Sequence, residues 1–198
     1  MKIGVLALQG DFAEHQTILE KIGVEVIQVR LAEQLPGLNG LIIPGGESTT
    51  IGKLAVDFGL MEPLREFSRQ HAIWGTCAGA IFIAKNIHRP QPLLGIMDIT
   101  VARNAFGRQI DSFEIDLDVP FLPKIDQPDD HFHAVFIRAP LIESVQGSAR
   151  VLVSLPQNGS KHSGQIVAAQ QGKMLATSFH PELTSDDRFH RYFLELSK

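Results

Sequence analysis

The sequence predicts an α/β fold: a single domain with a mostly parallel central sheet, flanking helices and an antiparallel strand insertion. Three observations predict it. Ile3 to Leu8 is a near-continuous apolar run, the pattern of a strand buried on both faces of a parallel sheet. Over the first sixty residues, runs of this kind alternate with segments of helical periodicity. From Leu93 to Phe136 the pattern changes to strands separated by Pro- and Asp-rich turns. No repeat, linker or low-complexity tract intervenes, so residues 1–198 are expected to form one domain.

The elements follow in order. After the first strand, Asp11 and Glu14 have capping-box spacing, and apolar residues at 12, 18, 19 and 22 give the first helix its buried face. Gly23 is its expected stop. Strands are expected at Val24–Val29 and Leu38–Ile43, the second closed by Pro44-Gly45-Gly46. A helical stretch begins near Ser48, and Leu60–Gln70 reads as an amphipathic helix with Leu60, Leu64 and Phe67 on one side. Ala72–Thr76 is a short strand, and Ala78–Lys85 a small-residue helix starting directly after Cys77. Arg150–Leu155, Ser163–Gln170 and Lys173–Ser178 read as strands. A last helix is expected from Thr184, with Asp187 completing a capping box and Phe189, Phe193 and Leu196 facing inward.

Composition excludes several function classes. With 198 residues, 44% of them hydrophobic, the chain can bury a core without a disulfide or metal staple. A net charge of −4 and a pI near 6.0 argue against a nucleic-acid or membrane-surface binder. No apolar run approaches the ~18 residues that span a bilayer, and the N-terminal run lacks a signal-peptide pattern, so a cytoplasmic protein is expected. The single cysteine, Cys77, cannot form an intrachain disulfide; it is buried filler or a reactive thiol.

Its neighbours favour the thiol. Gly75-Thr76-Cys77-Ala78-Gly79 lies between an expected strand and an expected helix and has the shape of a nucleophile elbow, with sulfur in place of oxygen. A thiol there meets the positive end of the helix dipole, and the next N–H points toward any oxyanion that forms. Phe179-His180-Pro181-Glu182 follows the last expected strand; in an extended segment His180 and Glu182 project together as base and orienter. A free cysteine, with a pKa of about 8.5, is only a few per cent thiolate at neutral pH, and an imidazolium partner can reverse that. The paired glycines of Pro44-Gly45-Gly46-Glu47-Ser48 let backbone N–H groups approach a ligand, as an oxyanion hole or a phosphate cradle. A P-loop fails on spacing, since five residues separate Gly46 from Gly52-Lys53 and Leu54 follows where Mg²⁺ needs Ser or Thr. No dinucleotide fingerprint follows the first strand.

Other features carry less. Asp129-Asp130-His131-Phe132-His133 has metal-ligand types but no fourth partner at a recognisable spacing, and reads as a solvated loop. Asn158-Gly159-Ser160 reads as a turn. His15, His71, His88, His162 and His190 have no nameable partner and are expected at the surface. Arg103 and Arg138, at expected strand ends, are either solvated or able to hold a substrate carboxylate. No metal or cofactor is expected.

Across essentially its whole length the chain resembles the class I glutamine amidotransferases of Cys-His-Glu type, and within them the glutaminase subunits of pyridoxal 5′-phosphate synthases. The resemblance rests on Gly4-Val5-Leu6-Ala7-Leu8-Gln9-Gly10, Pro44 to Thr50, Gly75 to Gly79, Arg103-Asn104-Ala105-Phe106-Gly107-Arg108-Gln109, Phe136 to Pro140 and Ser178 to Leu183. The triad motifs are shared by many glutaminases; the Leu-Gln-Gly, Gly-Gly-Glu-Ser-Thr-Thr and Arg-Asn-x-Phe-Gly-Arg-Gln segments are more specific. Ile81 stands where many class I domains carry glutamine, a departure that favours the narrower group.

The resemblance implies that Cys77 is the nucleophile, His180 the acid/base and Glu182 its orienter. It implies backbone oxyanion donors at Gly46 and Ala78, and a glutamine site of Gly46, Glu47, Ser48, Arg103, Ile137 and Arg138. It places Gln9 near the contact with a synthase subunit in a hetero-oligomer that receives the ammonia for vitamin B6 synthesis. Service to another synthase, such as imidazole glycerol phosphate synthase, and a non-catalytic scaffold are the alternatives. Nothing is implied for the variable segment 120–133.

Overall fold

In a computed structural model, residues 1–103, 112–124, 130–157 and 162–198 are described. The parallel part of the sheet uses β1 (Lys2–Leu6), β2 (Glu25–Val29), β3 (Gly40–Ile43), β4 (Ala72–Thr76) and β12 (Met174–Thr177), in the spatial order β2-β1-β3-β4-β12. The sheet then continues through antiparallel β11 (Ile166–Gln171), β9 (Leu141–Val145) and β6 (Met97–Ala102) to β5 (Ala84–Asn86), which pairs parallel to β6; β10 (Arg150–Ser154) branches off β11. A separate antiparallel hairpin pairs β7 (Ser112–Leu117) with β8 (Phe132–Ile137). This is the expected α/β class, with a mostly parallel sheet and an antiparallel insertion.

Strand periodicity divides the core into two layers. In β3, Leu41 and Ile43 face one side and Ile42 the other; in β4, Ile73 and Trp74 divide likewise. The first layer packs beneath α2 (Ser48–Asp57), α3 (Met61–Ser68) and α4 (Ala78–Ile83). The second packs beneath α1 (Phe12–Lys21), α5 (Arg188–Leu196) and the hairpin, around fully buried Trp74, Phe132, Phe136, Phe179, Phe189 and Phe193. Both faces are covered, which is why the central strands read as continuous apolar runs. No helix among the described residues is long and apolar enough to cross a membrane.

Several expectations need correction. The helix after Cys77 stops at Ile83, and Ala84 turns extended. The carbonyls of Phe82 and Ile83 accept from the N–H groups of Leu94 and Ile96, so a crossing segment satisfies the helix end in place of another turn. Strand β9, between the segments read as strands, escaped the sequence pattern. Asp11 makes no side-chain cap, because its carboxylate turns toward His180, 3.6 Å from Nδ1. The last helix begins at Arg188, since Pro181–Leu183 forms a separate 3₁₀ turn and Asp187 pairs with Arg191.

Candidate active site

Cys77 sits on the turn between β4 and α4 with φ 47° and ψ −104°, a strained backbone for a residue with a side chain. The sharp turn depends on its glycines. A Cβ on Gly79 would lie 2.0 Å from the Ile43 carbonyl oxygen, and one on Gly75 would lie 2.5 Å from the Gly79 carbonyl. The Cys77 N–H donates to the Thr177 carbonyl at 2.8 Å, and Cys77 is 7% exposed. Its sulfur lies 4.0 Å from the Ile137 carbonyl oxygen.

The parallel pairing of β12 with β4 places Thr177 beside Thr76, so the chain leaving β12 runs past Cys77. The His180 N–H donates to the Val135 carbonyl at 2.8 Å, and Phe179 is fully buried, which fixes the direction of the imidazole. His180 Nδ1 hydrogen-bonds Glu182 Oε1 at 2.7 Å, and the ring interacts electrostatically with the Cys77 thiol. The His-Glu pairing does not come from an extended segment. His180 caps the 3₁₀ turn Pro181–Leu183, and that turn folds the carboxylate back onto the ring.

Burial alone would lower the pKa of His180, but hydrogen bonds and charge from Cys77 and Glu182 raise it to about 10. Burial raises the Glu182 pKa, and His180 opposes that shift. Cys77, His180 and Glu182 thus form a buried chain in which an imidazolium is strongly favoured. That is the charge arrangement a thiolate nucleophile requires.

The loop after β3 packs against the loop after β1. Gly46 adopts φ 144°; the Glu47 N–H donates to Gln9 Oε1 at 2.7 Å, and the Asp11 N–H to the Gly45 carbonyl at 3.2 Å. A Cβ on Gly10 would lie 1.8 Å from the Gly45 oxygen, and one on Gly45 2.6 Å from the His180 ring. Glycines therefore let the Gly45-Gly46 backbone lie between Gln9-Gly10 and His180.

Glu47 caps α2: its carboxylate accepts from the N–H groups of Thr49 (3.1 Å) and Thr50 (2.7 Å) and from both hydroxyls. Burial opposes ionisation, yet these hydrogen bonds hold its pKa at about 2. Arg103 Nη2 donates to Glu47 at 2.9 Å and Nη1 to Gln91 at 3.1 Å, while Gln91 also donates to the Ser48 hydroxyl at 3.3 Å. Glu47, Ser48 and Arg103 are thereby joined through Gln91, which sequence reading did not single out. Arg138, exposed and at φ 43°, directly follows Ile137 at the end of β8. Ala78, directly after Cys77, opens α4.

Sequence reading also missed what lies behind Glu182. His15 and His190, expected at the surface, are both fully buried. A signal existed for His15, which shares the apolar stripe of α1 with Phe12, Ile18, Leu19 and Ile22. His88 does lie at the surface and pairs with Glu143, and His71 stacks on Phe67. The Asp/His segment is divided. The Asp130 carboxylate and His131 carbonyl hold Arg188, while His133 sits between Glu114 and Asp116. Asp129, Asn158-Gly159-Ser160 and Asn104–Gln109 lie outside the described residues. Asp11, His180 and Glu182 bring three ligand-type atoms within 4.8 Å of one another, and within this group His180 Nδ1 is hydrogen-bonded to Glu182 Oε1.

Residues 5–198 match the model of the SNO glutamine amidotransferase family. The chain is 56% identical to the pyridoxal 5′-phosphate synthase subunit PdxT of Herpetosiphon aurantiacus, over 99% of this chain and 100% of that one. It is 55% identical to the protein of the same name from Niallia circulans, over 99% and 97%. A crystal structure of a glutamine amidotransferase superposes with a TM-score of 0.88 at 50% identity, covering 98% of each chain.

Proposed function

The chain belongs to the SNO glutamine amidotransferase family, and on that premise we propose that it hydrolyses L-glutamine to L-glutamate and ammonia as the glutaminase subunit of a pyridoxal 5′-phosphate synthase. The observation that carries this reading is the buried run from Cys77 through His180 to Glu182, at one end of neighbouring parallel strands.

The mechanism uses this chain's own residues. The Cys77 thiolate attacks the side-chain amide carbon of glutamine, and the resulting oxyanion is held by the N–H groups of Gly46 and Ala78. His180 gives its proton to the departing ammonia, leaving a γ-glutamyl thioester on Cys77. The same imidazole then takes a proton from water as the water attacks the thioester, releasing glutamate and restoring the thiolate–imidazolium pair. Glu182 holds the ring by its Nδ1 side throughout. Loss of one oxyanion donor costs on the order of 3–4 kcal/mol in such sites.

Glu47, Ser48, Arg103, Ile137 and Arg138 form the glutamine site with Gly46. In support, Arg103 is tied to Glu47 and, through Gln91, to Ser48, and the Ile137 carbonyl lies beside the Cys77 sulfur. The synthase subunit docks near Gln9 in a large hetero-oligomer in the cytoplasm and takes up the ammonia. Gln9 holds the Glu47 N–H next to Gly46, so docking there can reorient the oxyanion loop.

Glutamate release is measured for wild type and Cys77→Ala, each with and without the synthase subunit. Activity that rises with that subunit and vanishes in the variant is expected. Stimulation only by another synthase would move the protein to a different pathway. An ordinary thiol alkylation rate together with no turnover would leave a scaffold.

A further inference from the structure

Behind the triad lies a buried chain of polar groups with no part in the steps above. His15 on α1 has Nδ1 3.0 Å from His190 Nε2 on α5. Its Nε2 lies 3.2 Å from the Thr76 hydroxyl and 3.3 Å from Glu182 Oε2. Both rings stand edge-on to Trp74, with centroids 5.6 and 5.0 Å away, and the Trp74 N–H is fixed on the Thr177 hydroxyl. These contacts leave the two histidines little freedom to turn.

Two atoms decide which nitrogens carry protons. His190 Nδ1 is buried with no hydrogen-bond partner, and no regular hydrogen bond reaches Glu182 Oε2. If His15 carried its proton on Nδ1, it would donate to His190 Nε2. His190 would then hold a buried N–H on Nδ1 with no acceptor, and the bare Nε2 of His15 would face the carboxylate. The opposite assignment lessens the first penalty and removes the second. His190 Nε2–H donates to His15 Nδ1, His190 keeps only a bare lone pair on Nδ1, and His15 Nε2–H faces Thr76 and Glu182. Both rings are neutral: burial pushes the His190 pKa down to about 3 against the opposing charge of Asp187, and burial with nearby His190 and His180 pushes His15 well below its usual range. Glu182, the His180 ring and Thr76 are the polar groups facing His15 from the triad side, with His190 behind it.

We propose that His15 is a positioning residue for the triad carboxylate, its Nε2–H held toward Glu182 Oε2 by a one-way proton order that begins at His190. The inference rests on the triad reading above. Glu182 meets His180 through Oε1 and His15 through Oε2, so a neutral donor on that side orients the buried carboxylate and opposes the effect of burial on it without adding a competing charge.

The first test needs no substitution. In wild-type protein with ¹⁵N-labelled histidine, the ring nitrogen shifts should show protons on Nε2 of both His15 and His190; a proton on His15 Nδ1 overturns the proposal. The second follows iodoacetamide alkylation of Cys77, the sole cysteine, against pH. His15→Leu should slow alkylation at neutral pH about tenfold, as loss of an outer partner commonly does, and move the profile to higher pH. His15→Gln, whose amide N–H reaches the Nε2 position, should restore it. Wild-type behaviour in His15→Leu, or an equal defect in a folded His15→Gln, overturns the proposal. Neither readout requires glutamine turnover, so a chain that failed to hydrolyse glutamine would sink the function and leave this test standing. If His15→Leu does not fold, the nitrogen shifts and His15→Gln still decide.

Discussion

The Cys77 N–H donates to the Thr177 carbonyl across neighbouring parallel strands, at 2.8 Å. One backbone bond ties the strained turn carrying the thiol to the strand whose continuation carries the imidazole. Residues 103 positions apart are therefore held together by sheet register, and the side chains inherit that precision.

Kinetics should separate orientation from substrate binding. Glu182→Gln keeps the shape but loses the carboxylate, so kcat is expected to fall by about 10³- to 10⁴-fold with KM for glutamine nearly constant. Arg103→Ala removes the guanidinium held by Glu47 and Gln91, and is expected to raise KM about tenfold with a smaller change in kcat. Steady-state rates in the presence of the synthase subunit test both. The reverse pattern for either variant would reassign that residue.

The high pKa of His180 depends on its partners. Cys77→Ala removes one of them, and the imidazole should titrate about one to three units below its wild-type value near 10. An NMR titration of the ring protons measures this directly. An unchanged value would mean that Glu182 alone holds the proton.

Stability against pH should report Glu47. Its folded pKa of about 2 lies below the ordinary 4.5, so its contribution is present above pH 4.5 and is lost as pH falls toward 2. Glu47→Ala is expected to lose about 1 kcal/mol at neutral pH, the usual worth of a helix N-cap. The gap should narrow through that acid window. Urea unfolding at several pH values checks it, and a constant gap would place the cost elsewhere.

The Cys77 backbone makes an unusual ordering testable. At φ 47°, glycine relieves strain that alanine retains, so Cys77→Gly should be more stable than Cys77→Ala by about 1 kcal/mol, against their common ranking. Thermal melts of the two variants decide the sign.

Gly79 lies in a helix, where alanine ordinarily stabilises. Here its Cβ would lie 2.0 Å from the Ile43 carbonyl oxygen, and Gly79→Ala is expected to destabilise by about 1–3 kcal/mol or more. A gain in melting temperature would contradict the close packing of α4 on β3.

Cys77, His180 and Glu182, the triad proposed above, stood out in the sequence because each lies in a short motif whose chemistry depends on neighbouring residues. The parallel strands were legible because burial on both faces leaves an unbroken apolar run, as in Gly40–Ile43 and Ala72–Thr76. Local pattern failed where a partner far along the chain decided the outcome. Ala84 leaves the helix because residues 94–96 cross its end, and Asp11 leaves its cap because His180 and Gly45 lie beside it. The 3₁₀ turn at Pro181–Leu183, not an extended strand, brings the Glu182 carboxylate to the His180 imidazole. His15 and His190 looked like unpartnered surface residues because they are 175 positions apart in sequence. Sequence determined which groups can carry a charge or accept a proton; only the packing of α1 and α5 against Trp74 decided that two of them would be buried neutral behind a carboxylate. A local motif records what its own neighbours require, whereas desolvation and proton order depend on every element that closes over a site.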